Sequence, residues 1–250
     1  MTFVLRLALD TLVLPAAPVA IAAAVARTNR TASTVAAAAG IILAHVIEVG
    51  VPRIPPIDTI GWIPLAVAVA AAGVLVEHRA LVRLAVTFVV VAIATRLIGR
   101  TTATPWCLLA GSVAALADGS LDLASRRMAP AATTLSLSVA MAGASITCLF
   151  GHSALLAQVL GASAFVIGVT AIFVEPARTV ASIAVVATVS VLVYARLYAE
   201  LSTLATALLV ASAVAPSAAS WLPLARRVRP IVAVITAVAF SITAALCARA

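Results

Sequence analysis

The chain has 250 residues, 64% of them hydrophobic and only 10% charged, with a mean hydropathy of +1.23. A soluble domain is about half apolar and about a quarter charged, so water is excluded as the main solvent and the expected fold class is all-α, a polytopic transmembrane helix bundle. The formal charge of +8 comes without a single lysine: the 16 basic groups are arginines set singly or in pairs between apolar runs, which excludes a nucleic-acid partner and marks helix ends anchored in a lipid bilayer.

A spanning helix needs about 20 mostly apolar residues, and the chain offers ten such runs almost back to back. The first, 8–26, follows Arg6 and closes on Ala24, Val25 and Ala26, a small-x-small pattern that also suits a signal peptide; Asp10, inside what would be the apolar region, favours an uncleaved helix. The second, 32–51, carries His45 and Glu48 and stops at Pro52, Pro55 and Pro56. Runs 60–77 and 81–99 follow, the latter with Arg96 near its end. The fifth, 105–124, opens at Pro105 and holds Asp118 and Asp122; the sixth, 130–150, opens at Pro130. Then come 154–174, 179–197, 201–221 with Pro216 inside it, and 230–248, opened by Pro230. Proline is tolerated in a first turn, because its missing N–H has no partner there in any case.

Alternating the connections separates the arginines. Arg27, Arg30, Arg79, Arg83, Arg126, Arg127, Arg178, Arg226, Arg227 and Arg229 collect on one side, against Arg6, Arg53, Arg96, Arg100, Arg196 and Arg249 on the other. The positive-inside rule assigns the first side to the cytoplasm of a cell membrane and puts both termini outside. Trp62, Trp106, Trp221, Tyr194 and Tyr198 fall near run ends, where amphipathic rings prefer the membrane interface. Residues 1–250 form one membrane domain, with possible halves 1–125 and 128–250 of five helices each, inverted relative to one another as in many secondary transporters. The same spacing follows from any regular chain of helical hairpins. No connection exceeds about ten residues, so there is no room for a soluble catalytic domain.

Ionisable groups inside a bilayer are costly and therefore candidates for function. His45 and Glu48, spaced i, i+3, share a helix face and are placed to hydrogen-bond across one turn, which suits proton coupling; headgroup water at a helix end is the plain alternative. Asp118 and Asp122, spaced i, i+4, stack on one face and suit a divalent ion or a proton. Their DGxxD fragment resembles the aspartate-rich motifs of membrane enzymes acting on diphosphate substrates, but the second acidic cluster of such enzymes is absent from this sequence. A helix-end ladder is the competing reading, since Asp122 precedes Arg126 by four residues. Asp10, Glu77 with His78 and Arg79, Arg96, Glu175 and Glu200 are scattered near run ends, with Asp10 and Arg96 expected to reach deepest. Pro216 is expected to kink or break its helix and free carbonyls for a site. Cys107, Cys148 and Cys247 lie in different runs with no CxxC and read as packing residues.

No catalytic, cofactor or metal site emerges. The expected function is a small-solute transporter or permease, proton-coupled through the candidate path His45, Glu48, Asp118, Asp122, Asp10 and Arg96. In helix number alone, ten split five and five, the chain resembles the drug and metabolite transporter superfamily. A non-catalytic assembly or scaffold subunit, joined to a membrane-protein partner or to its own copies through small-residue faces, is the alternative. An intramembrane enzyme on lipid-linked substrates, using the two aspartates, is the lesser one.

Overall fold

The computed structural model describes residues 9–25, 30–76, 80–99, 104–151, 153–174, 178–225 and 227–249. Among them are ten α-helices and no strand: α1 Leu14–Val25, α2 Arg30–Val49, α3 Trp62–Val76, α4 Ala80–Ile98, α5 Thr104–Arg127, α6 Pro130–Phe150, α7 Ala154–Phe173, α8 Arg178–Tyr198, α9 Thr203–Trp221 and α10 Arg229–Arg249. All but α1 and α3 are long and apolar enough to cross a membrane. The protein is a multi-pass membrane helix bundle.

Two of the ten runs form α-helices shorter than the rest within the described residues. At 15 residues α3 is about 23 Å long, short of the ~30 Å hydrocarbon core, and a 3-10 turn at Thr59–Gly61 precedes it. The first run divides into a π-helical turn, Leu9–Val13, and the 12-residue α1. Pro15 lacks an N–H group, so the Thr11 carbonyl loses its usual partner at this junction, while α1 runs on through Pro18. By contrast α5, at 24 residues and about 36 Å, carries Arg126 and Arg127 to its very end.

Side-chain contacts fix which helix ends share a side. The starts of α4 and α8 meet the end of α5 through Arg83, Arg178 and Asp122. Thr34 and Thr179 join the starts of α2 and α8 at 2.6 Å, and Arg127 stacks 3.4 Å over the Trp221 ring at the end of α9. At the other end Tyr198 of α8 donates to the Ile98 carbonyl that closes α4. The alternation read from the arginines therefore holds in relative terms, giving an arginine-rich and an arginine-poor end.

Helix α8 is the centre. Every residue from Val180 to Leu192 is buried, on all faces, and the helix touches α2 through α7 and α9. A helix apolar all round belongs in an interior, and its Ala181, Ser182, Ala184, Ala187 and Ser190 let neighbours approach closely. Hairpins α1–α2, α4–α5, α6–α7 and α9–α10 surround it, while α2–α7 and α3–α8 contacts join the two halves. Helix α6 also packs against α9 and α10, whereas its counterpart α1 shows no matching contact with α4 or α5 among the described residues. Large apolar side chains such as Leu81, Leu116, Ile172, Ile235 and Leu246 point outward, as a lipid-facing surface requires.

Two glycines hold neighbouring backbones together. A Cβ on Gly40 would stand 2.7 Å from the Pro15 carbonyl oxygen of α1, and one on Gly111 would stand 2.8 Å from the Phe88 carbonyl oxygen of α4. Gly119, also on α5, faces only the flexible end of Leu84 at 3.4 Å. The free cysteines sit as expected, Cys107 and Cys148 buried and Cys247 half-buried. Gly40→Ala and Gly111→Ala should each lower stability in detergent by about 1–3 kcal/mol, since backbone must move, and Gly119→Ala should leave it nearly unchanged. Thermal unfolding of the three variants checks this: equal melting temperatures would mean that the helix spacing is not set by these glycines.

Candidate functional site

Three helices converge on a charged cluster within the bundle near the arginine-rich end. Each contributes two residues four apart, and residues at that spacing share a helix face: Arg83 and Thr87 on α4, Asp118 and Asp122 on α5, Arg178 and Ser182 on α8. The deeper layer holds Asp118, whose carboxylate accepts from Ser182 Oγ at 2.8 Å, Thr87 Oγ1 at 3.2 Å and Arg83 Nε at 3.3 Å. The outer layer holds Asp122. Arg126 donates to its Oδ2 through Nη2 at 2.8 Å and Nε at 3.0 Å, Arg83 Nη2 lies 3.2 Å from Oδ1, and Arg178 Nη1 lies 4.0 Å from the same oxygen.

Arg83 thus bridges the layers with one guanidinium, a fork matched to two carboxylates. Its side chain is 6% exposed, against 1% for Asp118 and 8% for Asp122, while Arg126 and Arg178 are about half exposed at 52% and 47%. The desolvation cost of such a buried group is several kcal/mol per ion and is offset only when every lone pair and proton is used. Here two hydroxyls complete the coordination of Asp118 and three guanidiniums surround Asp122.

The aspartate pair therefore meets the ladder reading through Arg126 and extends it across two further helices. A divalent ion would have to displace arginines, because two carboxylates face three guanidiniums. Among the described residues no group of three or more His, Cys, Asp and Glu is placed to hold a metal.

The remaining candidates do not join this cluster. His45 is buried at 1% exposure near the arginine-poor end of α2, and neither ring nitrogen has a hydrogen-bond partner among the described residues. The expected bond to half-buried Glu48 does not form, and Glu48 is engaged elsewhere. Arg96 is exposed in the last turn of α4 instead of reaching deep. Asp10 belongs to the opening π-helical turn, but its side chain, like Glu77, His78, Arg79 and Glu175, lies outside the described residues.

Pro216 is buried in an α9 that continues unbroken from Thr203 to Trp221. The carbonyl it deprives of a partner belongs to Ser212, whose hydroxyl turns to α10, donating to the Ala237 carbonyl at 2.9 Å and lying 3.0 Å from Ser241 Oγ. The proline thus sits in a helix–helix seam, not at a broken-helix site.

A cavity of about 530 Å³ lies at the arginine-poor end, between α4, α5, α8 and α9. Thr95, Leu109, Val113, Val189, Leu192 and Val210 form its wall, and Trp106 and Arg196 flank it in the first turn of α5 and the last turn of α8. The Thr95 hydroxyl is buried without a hydrogen-bond partner among the described residues. The sequence reading missed both this cavity and the roles of Arg83 and Arg178, which it counted as surface anchors. The available signal was the repeated arginine followed four residues later by a hydroxyl, in the first turns of α4 and α8.

Arg83→Met, which leaves the buried Asp118 carboxylate without its cation, should destabilise the protein by about 3–5 kcal/mol, and Arg126→Ala, at a half-exposed position, by no more than about 1 kcal/mol. Adding Asp118→Leu to Arg83→Met should recover part of the loss. Denaturant unfolding in mixed micelles measures the cycle; a double variant weaker than the sum of its parts would refute direct pairing. Compared with protein-family models, curated proteins and solved structures, the chain has no match in any of the three.

Proposed function

We propose that the protein is a transporter of small solutes working by alternating access. One observation carries this reading: α4, α5 and α8, joined by the ionic cluster at the arginine-rich end, are the same three helices that line the cavity at the opposite end, with α9. The cluster acts as a closed gate and the cavity as an open vestibule. Along α8 the deepest gate residue, Ser182, and the innermost cavity residue, Val189, are about 10 Å apart, and along α5 Asp118 and Val113 are about 8 Å apart. A thin septum of packed side chains separates them. Opening then requires exchanging the Asp118 and Asp122 contacts, the kind of discrete repacking by which rigid helices switch between states.

The positive-inside rule assigns the arginine-rich end to the cytoplasm, so the vestibule faces outward, as do both termini. Asp118, Asp122 and the unpartnered His45 are the groups available for proton coupling. A second reading, a membrane assembly subunit, is favoured by an apolar groove of about 320 Å³ between α6 and α10, lined by Val139, Ala142, Gly143, Ile146, Val238 and Ile242.

The gate is tested with Val186→Cys, a buried position on α8 four residues on from Ser182 and on the same helix face, in a background where the three native cysteines are replaced by serine. An impermeant maleimide added at the arginine-rich face should label it slowly. Asp122→Asn should speed labelling by about tenfold or more, the effect of ~1.4 kcal/mol of lost closure. Vesicles containing the unmodified protein should show solute uptake driven by a pH gradient, and Asp118→Asn should abolish it with the fold intact. Absence of gradient-driven uptake for every solute of a broad panel, or labelling indifferent to Asp122→Asn, refutes the reading.

A further inference from the structure

We infer that the cavity between α4, α5, α8 and α9 binds an amphiphilic anion, its carboxylate or phosphate held by Arg196 and its apolar chain lying along Leu109, Val113, Val189, Leu192 and Val210. The inference names the ligand class for the vestibule and so rests on the transport reading for its purpose, though not for the binding itself.

Arg196 is the one charged residue among those lining the cavity, and no acidic side chain pairs with it among the described residues. The nearest carboxylate in sequence, Glu200, lines a different, polar cavity of about 560 Å³ with Ser153, Tyr198 and Ser202. An unneutralised cation beside an apolar wall is a selective arrangement: it attracts one negative group and offers nothing to a second. Arg196 lies in the last turn of α8 and Trp106 in the first turn of α5, so both sit at the level where headgroups meet hydrocarbon. From Arg196 the wall runs inward along α8 through Leu192 to Val189, about 10 Å, a depth suited to an alkyl chain entering tail first.

The polar complement is equally sparse. Thr95 and Thr206 are the other lining residues with hydroxyls; Thr206 is already bonded to the Ser202 carbonyl at 3.0 Å, while the Thr95 hydroxyl, in a residue 3% exposed, has no partner among the described residues. A buried hydroxyl left unpaired costs free energy and is a natural second contact for a headgroup oxygen after a small side-chain rotation. A neutral or cationic amphiphile would leave Arg196 unpaired. A small hydrophilic anion would leave the apolar wall uncovered. The pairing of one cation with one greasy channel therefore points to a single-headed anion with an apolar tail.

Trp106 supplies the reporter. In Trp62→Phe/Trp221→Phe it is the sole tryptophan, since the chain has 3. That protein, in phosphatidylcholine nanodiscs, is titrated with brominated decanoate, brominated decyl phosphate and brominated decanol, each of which quenches indole fluorescence on contact. A parallel series replaces part of the lipid with brominated phosphatidylglycerol. The two free anions, the anionic lipid or both should quench saturably, with half-saturation raised about tenfold or more by Arg196→Gln, partly restored by Arg196→Lys and unchanged by Arg53→Gln. Saturation by the free anions identifies a solute as the source, and saturation confined to phosphatidylglycerol identifies a bilayer lipid. Decanol should quench only in proportion to its concentration.

Equal quenching by decanol and decanoate, or quenching indifferent to Arg196→Gln, overturns the inference. Because Arg196 is exposed, its variants should fold, which melting temperature verifies. The two readings fail separately. Saturable Arg196-dependent binding without uptake into vesicles keeps the site and removes transport. Uptake of a solute with no such binding keeps transport and removes this site.

Discussion

A carboxylate inside a helix bundle has to find its hydrogen bonds in protein, because lipid supplies none, and the arrangement of α4, α5 and α8 follows from that obligation. Asp118 needs three donors and draws them from two other helices, Thr87 and Arg83 on α4 and Ser182 on α8. Each donor fixes an axial position as well as a face, so the three helices are locked in register and not merely in contact. A slide by one turn, about 5.4 Å, would leave a buried ion unpaired, a penalty far larger than any packing gain. Apolar packing between helices lacks this specificity, since one alanine and valine surface resembles the next.

Around that fixed point the bundle is assembled from weaker and less directional terms. Helix–helix association in a membrane relies on close backbone approach, and the central α8 is built for it, with small residues on every face of its buried stretch. Hydroxyls reinforce the seams without adding charge. Ser138 donates to the Ala164 carbonyl and Ser145 to the Ala157 carbonyl, stitching α6 to α7 at 2.6 and 2.5 Å, as Ser212 stitches α9 to α10. The ends are closed by backbone chemistry. Gly50 terminates α2 with φ of 104°, and Glu200 terminates α8 with φ of 53°, where the Leu201 N–H reaches back to the Ala195 carbonyl at 3.2 Å.

Much of this architecture was legible in the sequence because the bilayer imposes a length and an alternation that hydropathy and arginine placement report directly. Ten helices, their order and the sharing of ends all follow from runs of about twenty apolar residues. Where the reading fell short, the cause is local or long-range. The opening of the first run is a π-helical turn, Leu9–Val13, ahead of Pro15, whose missing N–H run length alone does not register. The pairing of Asp122 with Arg126 was readable because both lie on one helix, whereas Arg83 and Arg178 meet it only after α4 and α8 have packed against α5. His45 shows the converse: its i, i+3 spacing to Glu48 permits a bond, yet the imidazole is buried without one among the described residues. Spacing defines which contacts are possible within a helix; tertiary packing selects among them.

The same logic connects the two ends of the molecule. Helices α4, α5 and α8 span the ~10 Å between the ionic cluster and the cavity, and under the proposed transport reading a change in how their arginine-rich ends meet is transmitted to their opposite ends. Cation and anion balance differ accordingly. The cluster holds two carboxylates against three guanidiniums, so each carboxylate has a cationic partner and the surplus positive charge lies on Arg126 and Arg178, which are about half exposed. The cavity presents a lone guanidinium with no acidic partner among the described residues. An arginine paired within the bundle serves the register of its helices, and one left unpaired beside an apolar wall has its charge available to a ligand. In this chain, where every basic residue is an arginine, pairing and depth are what separate the two roles.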